Sequence, residues 1–304
     1  EEEEPKKGGG MMILAGGTEN MSQAPHTLRG LRKGLKLGGA PMGDSLQEAL
    51  FDTYVGAPMA ITAENLAEVY KISREDADDY GFRSQTAWLA AHTEGRYAQE
   101  ITPVVVKDRK GEITVTVDEH PQLSPLAPEK NRARFSREAM SKLPAIFKKD
   151  GTVTAANASG INDGAAALVM TTAPHAEAKG LTPIGRLVAW GVAGVEPKHM
   201  GIGPVYAIQR ALEMAKMTLG QMELVEINEA FSSQYLACER ALGLSRDITN
   251  VNSGGVAVGH PLAASGARIT AHLLYELKRR GARYGVGSAC IGGGQGIAVI
   301  IEAL

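Results

Sequence analysis

Apolar runs and amphipathic stretches alternate along the C-terminal part of the chain. Short continuous apolar runs indicate buried strands, whereas apolar residues that recur every three or four positions indicate helices that pack on one face. On this basis the predicted elements are strands at 184–191, 224–227 and 248–251 and helices at 204–217 and 232–242. Strands that alternate with helices predict an α/β fold, in which a mixed sheet carries helices on both faces.

The last fifty residues continue this pattern. Ile269, Leu273 and Leu277 recur at helical spacing, and we expect Ser265 to cap the start of that helix. Basic residues at 278–280 and Gly281 predict where it ends. Two further strands are predicted at 284–290 and 297–302. The turn between them, residues 292–296, contains four glycines, so a ligand can approach its backbone closely.

The first 160 residues are more irregular. Residues 11–15 predict a short strand that ends at Gly16-Gly17, and residues 61–70 show a helical pattern. Ser73 with acidic residues after it predicts the start of a second helix. Strands are expected at 101–106 and 113–117, joined by Lys110-Gly111, and a long loop is expected at 120–137. Residues 1–10, a charge block followed by glycines, predict a disordered leader or an unrelated start.

Composition excludes several classes of protein. The chain has 304 residues, 44% of them hydrophobic, and a formal net charge of −2, so nothing favours nucleic acid or an anionic membrane as a partner. Its apolar runs are shorter than a membrane span requires. Two cysteines argue against a disulfide scaffold and fit a reducing compartment. We find no spacing of Cys and His that indicates a metal site, and we expect none.

Three short motifs carry the candidate chemistry. Residues 228–231 (Asn-Glu-Ala-Phe) follow an apolar run, at the kind of strand end where polar groups gather around ligands. His260 lies in a Gly-His-Pro turn, and Cys290 precedes the glycine-rich turn. Each alone also fits a plain structural role, as a turn histidine or a small buried cysteine. Their combination and order point to a functional site.

The order Asn-Glu-Ala-Phe, Gly-His-Pro, Cys-x-Gly resembles the thiolase family. The resemblance continues upstream in residues 15–22, 62–65 and 151–160, whose last segment reads Gly-Thr-Val-Thr-Ala-Ala-Asn-Ala-Ser-Gly. From about Ile13 to the C-terminus the chain looks like the 3-ketoacyl-CoA thiolases of mitochondrial fatty-acid oxidation. Before Ile13 the resemblance stops.

The resemblance implies a thiolase-like fold, with duplicated mixed sheets and an inserted loop domain. Residues 11–22 and 161–181 would belong to an N-terminal half that is incomplete here, so one sheet should lack strands. Residues 23–160 would form the loop domain that covers the active site and binds CoA. Residues 182–304 would form the C-terminal half.

The resemblance also implies catalytic roles. His260 would accept a proton from a nucleophilic cysteine and donate to a thioester oxygen, and Asn228 would position a water as a second donor. Cys290 would exchange the α-proton, and backbone N–H groups at Gly292 would bind an oxyanion. We expect His260 to lower the pKa of Cys290, because a free thiol titrates too high to act as a base. The family's acyl-accepting cysteine has no candidate in this sequence, and this is its main departure from the family.

For CoA and substrate, the resemblance implies Ser159 as a hydrogen-bond donor to pantetheine and Phe147 and Phe231 as apolar walls. Arg132 would contact the adenine nucleotide, although Arg134 and Arg137 lie close enough to compete. Met59 would border the acyl group. Its neighbour Pro58 stands where acetoacetyl-specific members carry His, which favours a broader substrate range.

The sequence therefore predicts an acyltransferase that cleaves 3-ketoacyl-CoA with CoA as a substrate and without a cofactor. Two alternatives remain: an acetoacetyl-CoA-forming thiolase, and a non-catalytic acyl-CoA-binding protein. We expect a homodimer or homotetramer, located in the mitochondrial matrix if eukaryotic and in the cytoplasm if bacterial. We also expect these 304 residues by themselves to bind acyl-CoA and exchange an α-proton without forming the normal acyl-enzyme.

Overall fold

A computed structural model describes residues 11–109 and 111–304, apart from the side chains of residues 108, 133 and 134. The leader expected at residues 1–10, Lys110 in the predicted turn and the side chain of Arg134 lie outside the described residues. Among the described helices, none is both long enough and apolar enough to cross a membrane.

The described residues form the following strands and helices. The strands are β1 (Ile13–Glu19), β2 (His26–Leu28), β3 (Met42–Asp44), β4 (Phe51–Asp52), β5 (Ala57–Pro58), β6 (Val104–Asp108), β7 (Gly111–Val115), β8 (Gly164–Met170), β9 (Gly185–Gly194), β10 (Leu224–Ile227), β11 (Tyr284–Ile291) and β12 (Gln295–Ala303). The helices are α1 (Ser45–Ala49), α2 (Met59–Val69), α3 (Arg74–Thr93), α4 (Glu129–Arg134), α5 (Arg137–Ser141), α6 (Ala173–Ala178), α7 (Gly203–Ala215), α8 (Ser232–Leu242), α9 (Gly255–Val258) and α10 (Ser265–Arg280). Short 3-10 helices occur at Leu31–Lys33, Pro197–Ile202 and Leu219–Gln221.

The largest sheet has four strands in the order β10-β11-β12-β9. Strands β10 and β11 run parallel, and the other two pairs are antiparallel. The sheet is therefore mixed, as the sequence predicts. The parallel pair places the carboxyl ends of β10 and β11 at the same edge, which brings Asn228 near Cys290.

Helices cover both faces of this sheet. Because successive side chains of a strand point to opposite faces, Val225 and Leu224 belong to different core clusters. Val225 packs with Ile300 and with apolar residues of α7 and α8. Leu224 packs with Ile301 and with the apolar face of α10. The prediction of an α/β sheet with helices on both faces is confirmed.

The ends of the helices follow local sequence signals in two cases and depart from them in one. Ser73 and Asp76 form the predicted reciprocal cap of α3, and Gly281 ends α10 in the left-handed conformation, with φ of +65°. The prediction that Ser265 caps α10 is wrong. Ala264 occupies the cap position, and the Ser265 hydroxyl instead contacts His260 and Pro261.

The N-terminal strand β1 pairs with β8 along its whole length, and together they form an antiparallel two-stranded sheet. Helix α10 packs against both of these strands as well as against β11 and β12. It therefore lies between the β1–β8 pair and the four-stranded sheet. This position fixes the turn that carries His260 relative to both sheets.

Two predictions for irregular regions need correction. Residues 120–137 are not a continuous loop, because α4 forms there and α5 begins at Arg137. Residues 248–251 do not form a strand; Thr249 makes a single parallel bridge to Val225. Polar side chains in this segment form hydrogen bonds with backbone groups of β10 instead. The Asn250 side chain, for example, hydrogen-bonds both the N–H and the carbonyl of Ile227. The predicted hairpin of β6 and β7 is present.

Candidate active site

Asn228 follows the last residue of β10 and is buried. Its backbone N–H donates to the carbonyl of Ser288 on β11 at 2.8 Å, which fixes its place beside that strand. Among the described residues, none hydrogen-bonds the side-chain Oδ1 or Nδ2 of Asn228. Buried amide groups are normally paired, so this side chain is suited to a water or a ligand.

The segment that contains Ser159 pairs with the turn after Asn228. Ser159 N–H donates to the carbonyl of Ala230 at 3.0 Å, and Ser232 N–H donates to the carbonyl of Asn157 at 2.8 Å. Ala158 and Phe231 form an antiparallel bridge between these two donors. The structure thus brings Ser159 and Phe231 together although they are distant in sequence.

Cys290 lies near the end of β11 and is 8% exposed. It packs with Met200 and Ala230, and Met59 and Phe231 contact the same cluster. Burial raises the pKa of the Cys290 thiol to about 12. The expectation that His260 lowers this pKa is therefore wrong, because the apolar surroundings disfavour the thiolate.

The turn after Cys290 is closely packed at Gly294 and open at Gly292. Gly293 and Gly294 have φ of +81° and +86°, a conformation that favours glycine. A Cβ at Gly294 would collide with the backbone of Val195. A Cβ at Gly292 would meet only the Met59 sulfur at 4.0 Å, so the backbone of Gly292 is open to a ligand.

His260 follows α9 and Gly259, whose φ of +90° turns the chain sharply. Its Nδ1 lies 2.6 Å from Ser265 Oγ, and Ser265 Oγ donates to the carbonyl of Pro261 at 3.0 Å. Burial and the positive charge of Arg268 lower the pKa of His260 to about 4. The imidazole is therefore neutral at neutral pH, and Nε2 keeps a free lone pair.

A cavity of about 340 Å³ lies next to the Ser159 segment. Its lining includes Ala158 and Gly160, which flank Ser159, together with His120, Phe135 and Val256. The His120 ring is held by a hydrogen bond of 2.8 Å between Nδ1 and the carbonyl of Ala257. The cavity thus connects the helices α4 and α5 with the segment that leads to His260.

Two of the predicted CoA-binding residues lie elsewhere. Arg132 is exposed at its guanidinium, which donates to the carbonyl of Pro125 at 3.2 Å, and Phe147 is 43% exposed. Of these two described residues, neither lines the cavity beside Ser159. Their proposed contacts with CoA stay predictions.

Sequence reasoning missed two residues of the site. Glu229 is fully buried and accepts four hydrogen bonds, and Ser265 binds His260 rather than capping a helix. The signal for Glu229 is its place directly after Asn228. Within the described part of the chain, no group of three or more His, Cys, Asp or Glu residues is arranged to hold a metal ion.

Two family models match this chain. The model described as "Thiolase, N-terminal domain" matches residues 6–174, and the model described as "Thiolase, C-terminal domain" matches residues 181–303. Together they cover nearly the whole chain.

Individual relatives are similar over most of their length. The mitochondrial 3-ketoacyl-CoA thiolase of Bos taurus is 53% identical over 291 residues, which are 95% of this chain and 71% of the relative. An acetyl-CoA acetyltransferase of Shinella zoogloeoides is 46% identical over 293 residues, with 96% and 72% covered. A solved structure of human mitochondrial 3-ketoacyl-CoA thiolase in complex with CoA is 50% identical, with a TM-score of 0.89 and coverage of 96% and 71%.

Proposed function

The chain belongs to the thiolase family, and we propose that it is an acyltransferase for thiolytic cleavage of 3-ketoacyl-CoA to acetyl-CoA and a shortened acyl-CoA. One observation carries this proposal. Asn228, Cys290 and Ser159 meet around the Ala230–Phe231 turn, where the buried amide of Asn228 is left for a ligand. This arrangement supplies a proton donor, an oxyanion donor and a substrate contact in one place.

We propose that Cys290 transfers the proton of the substrate's α-carbon. When the bond between the α- and β-carbons breaks, the shortened acyl group passes to the family's acyl-accepting thiol, for which these 304 residues offer no candidate, and the electron pair of the bond passes to the enolate of acetyl-CoA. The Cys290 thiol then gives its proton to that carbon. In the reverse direction the thiolate removes the same proton. A thiol with a raised pKa is held protonated before cleavage, which suits the donor role.

We propose that His260 and Asn228 stabilise the thioester oxygen of the substrate during the reaction. A neutral imidazole with a free Nε2 accepts a proton from a thiol and then, as an imidazolium, stabilises a nearby negative oxygen. Asn228 positions a water that donates to the thioester oxygen. The open backbone of Gly292 supplies N–H groups to the oxyanion of the acyl intermediate.

We assign the cavity beside Ser159 to the pantetheine arm and the acyl group to the surface formed by Met59 and Phe231. In this assignment the Ser159 hydroxyl donates to a pantetheine carbonyl, while Phe147 and Arg132, which do not line the cavity, contact the outer part of the arm and the nucleotide, respectively, outside it. A solved relative that contains CoA supports CoA as the ligand. The chemistry requires no cofactor beyond CoA as substrate.

We also propose a homodimer or homotetramer, with β1 at an interface, because Leu14 on that strand is 74% exposed and an apolar strand edge invites pairing. Sedimentation at micromolar concentration checks this, and a monomer would contradict it. The mitochondrial relatives support a matrix location in a eukaryote, and for a bacterium we propose the cytoplasm.

Acetoacetyl-CoA formation is the second candidate, favoured by the acetyl-CoA acetyltransferase relatives. Pro58 argues against it, because the acetoacetyl-specific members carry His there. Competition binding separates the two: we expect 3-ketoacyl-CoA with a longer acyl chain to bind at least as tightly as acetoacetyl-CoA. Strong preference for acetoacetyl-CoA would favour the second candidate. Binding without any exchange of α-protons would indicate a non-catalytic acyl-CoA-binding protein.

A further inference from the structure

Glu229 is a fully buried carboxylate directly after Asn228, in the turn that follows β10. The proton transfers assigned above do not use it. Within the described part of the chain, it forms no ion pair with a lysine, arginine or histidine. A buried charge without a cation is costly unless hydrogen bonds satisfy it, so its contacts need an explanation.

Four donors converge on this carboxylate, two at each oxygen. Oε1 accepts from the Tyr80 hydroxyl at 2.7 Å and from Asn250 Nδ2 at 2.9 Å. Oε2 accepts from the Ser84 hydroxyl at 2.6 Å and from the backbone N–H of Val256 at 3.1 Å. Each oxygen therefore receives one hydroxyl and one N–H group.

These donors belong to three separate parts of the chain. Tyr80 and Ser84 lie on α3, in the region expected to cover the active site. Asn250 also binds the end of β10. Its side-chain amide accepts a hydrogen bond from the N–H of Ile227 and donates one to the carbonyl of Ile227, each of 2.9 Å. Val256 lies in α9, which ends two residues before His260. One carboxylate thus joins α3, the Asn228 turn and the segment that places His260.

Glycines allow this close approach. A Cβ at Gly254 would lie 2.5 Å from the carboxyl carbon of Glu229. A Cβ at Gly255 would lie 2.6 Å from the Glu229 carbonyl and 3.3 Å from Asn228 Oδ1. The backbone before His260 is therefore packed directly against both Glu229 and Asn228.

We propose that Glu229 is a positioning residue that sets the distance between Asn228 and His260 by holding α9 against the turn after β10. The kinetic part of its test rests on the proposed function. The structural part, the protection of residues 254–260, does not.

The isosteric amide cannot replace this carboxylate. A glutamine at position 229 presents one oxygen and one NH₂ group. The hydroxyls of Tyr80 and Ser84 can rotate and accept from the NH₂. Asn250 Nδ2 and the Val256 N–H cannot, since one is held by Ile227 and the other is backbone. Whichever way the glutamine amide is oriented, its NH₂ group therefore faces either Asn250 Nδ2 or the Val256 N–H, and two donors oppose each other.

The test compares Glu229→Gln with Glu64→Gln. Glu64 is a matched control, because it is also a buried carboxylate and it accepts from the backbone N–H groups of Thr152 and Val153 at 2.8–2.9 Å. Amide hydrogen exchange by mass spectrometry reports local protection, and α-proton exchange of acetyl-CoA in D₂O reports kcat and KM. Urea unfolding of both variants measures the general loss of stability.

We expect Glu229→Gln to speed amide exchange in residues 254–260 and to lower kcat about a hundredfold, the scale of a small misplacement in an active site, with KM near the parent value. Glu64→Gln should leave residues 254–260 protected. Equal protection of 254–260 in the parent and Glu229→Gln would overturn the proposal, even if the parent shows no proton exchange and the proposed function fails. Should Glu229→Gln not fold, Ser84→Ala removes one donor and must loosen the same residues to a smaller extent; unchanged protection there would also overturn it.

Discussion

Ser265 Oγ lies 2.6 Å from Nδ1 of His260, and the same hydroxyl donates to the carbonyl of Pro261 at 3.0 Å. Because the hydroxyl hydrogen is directed at Pro261, Nδ1 of His260 carries the proton and donates to Oγ. The other ring nitrogen, Nε2, is then the proton acceptor. A serine in the first turn of α10 thus sets which nitrogen of His260 acts as a base.

Ser265→Ala should lower kcat for exchange of the α-protons of acetyl-CoA by about fivefold, since one lost hydrogen bond corresponds to roughly 1 kcal/mol. Thr270→Ala is the matched control. The Thr270 hydroxyl also donates to a carbonyl four residues earlier on α10, that of Gly266, but it does not contact His260. An equal loss of kcat in both variants would show that the hydroxyl matters only for the helix.

The pH dependence of exchange should follow Cys290 rather than His260. Burial raises the pKa of Cys290 to about 12, and burial with Arg268 lowers that of His260 to about 4. Between pH 7 and 9, His260 stays neutral while the thiolate fraction of Cys290 grows tenfold per pH unit. The logarithm of kcat/KM, which reports the free protein, should therefore rise with unit slope. A plateau beginning near pH 7 would contradict the raised pKa.

Stability should fall in mild acid because of His260. Its pKa in the folded chain, about 4, is below the ordinary value of 6.5, so between these values the unfolded chain binds the proton and the folded chain does not. This contribution is complete above pH 6.5 and is lost as the pH falls toward 4, up to about 3 kcal/mol. Urea unfolding at pH 7.5 and 4.5 should show a smaller loss for His260→Asn than for the parent. Equal losses would place the pKa of His260 near its ordinary value.

Ser159→Ala should weaken CoA binding by about 1 kcal/mol, the usual net contribution of one hydrogen bond. Ser141→Ala is the control, because its exposed hydroxyl donates only to the carbonyl of Glu138 on α5. Calorimetric titration with CoA measures both. Unchanged affinity in Ser159→Ala would remove this hydroxyl from the CoA site.

Much of the C-terminal sheet could be predicted because its pattern is local. Helix α8 begins and ends at the predicted residues, 232 and 242. The sequence predicts a strand at residues 11–15 that ends at Gly16-Gly17, yet β1 continues through both glycines. There the missing side chains let the backbones of Ala166 and Ala263 approach closely. This close backbone packing depends on a partner strand that lies far away in sequence, so the local pattern does not reveal it.

The candidate site could be predicted where motifs specify it and not where partners are distant. Asn228, His260 and Cys290 can be recognised from the sequence because each lies in or beside a short motif at a turn. Glu229 does not, because its partner Tyr80 is 149 residues away. The pKa of Cys290 depends on packing by Met200 and Ala230 that no local pattern reveals. Burial sets the pKa of Cys290, and His260, which sequence reasoning expected to lower it, is not among the causes of the shift.

The central claim is that Cys290, with His260 and Asn228, transfers the α-proton of an acyl-CoA. Mass spectrometry of acetyl-CoA incubated with the chain in D₂O tests it most directly, with Cys290→Ala and Cys238→Ala measured in parallel. Cys238 is the matched control, because it is the chain's other cysteine, is fully buried on α8 and contacts the Gly201 carbonyl. We predict deuterium uptake by acetyl-CoA with the parent and Cys238→Ala and its loss with Cys290→Ala. Uptake that persists in Cys290→Ala, or is absent in the parent, would contradict the account.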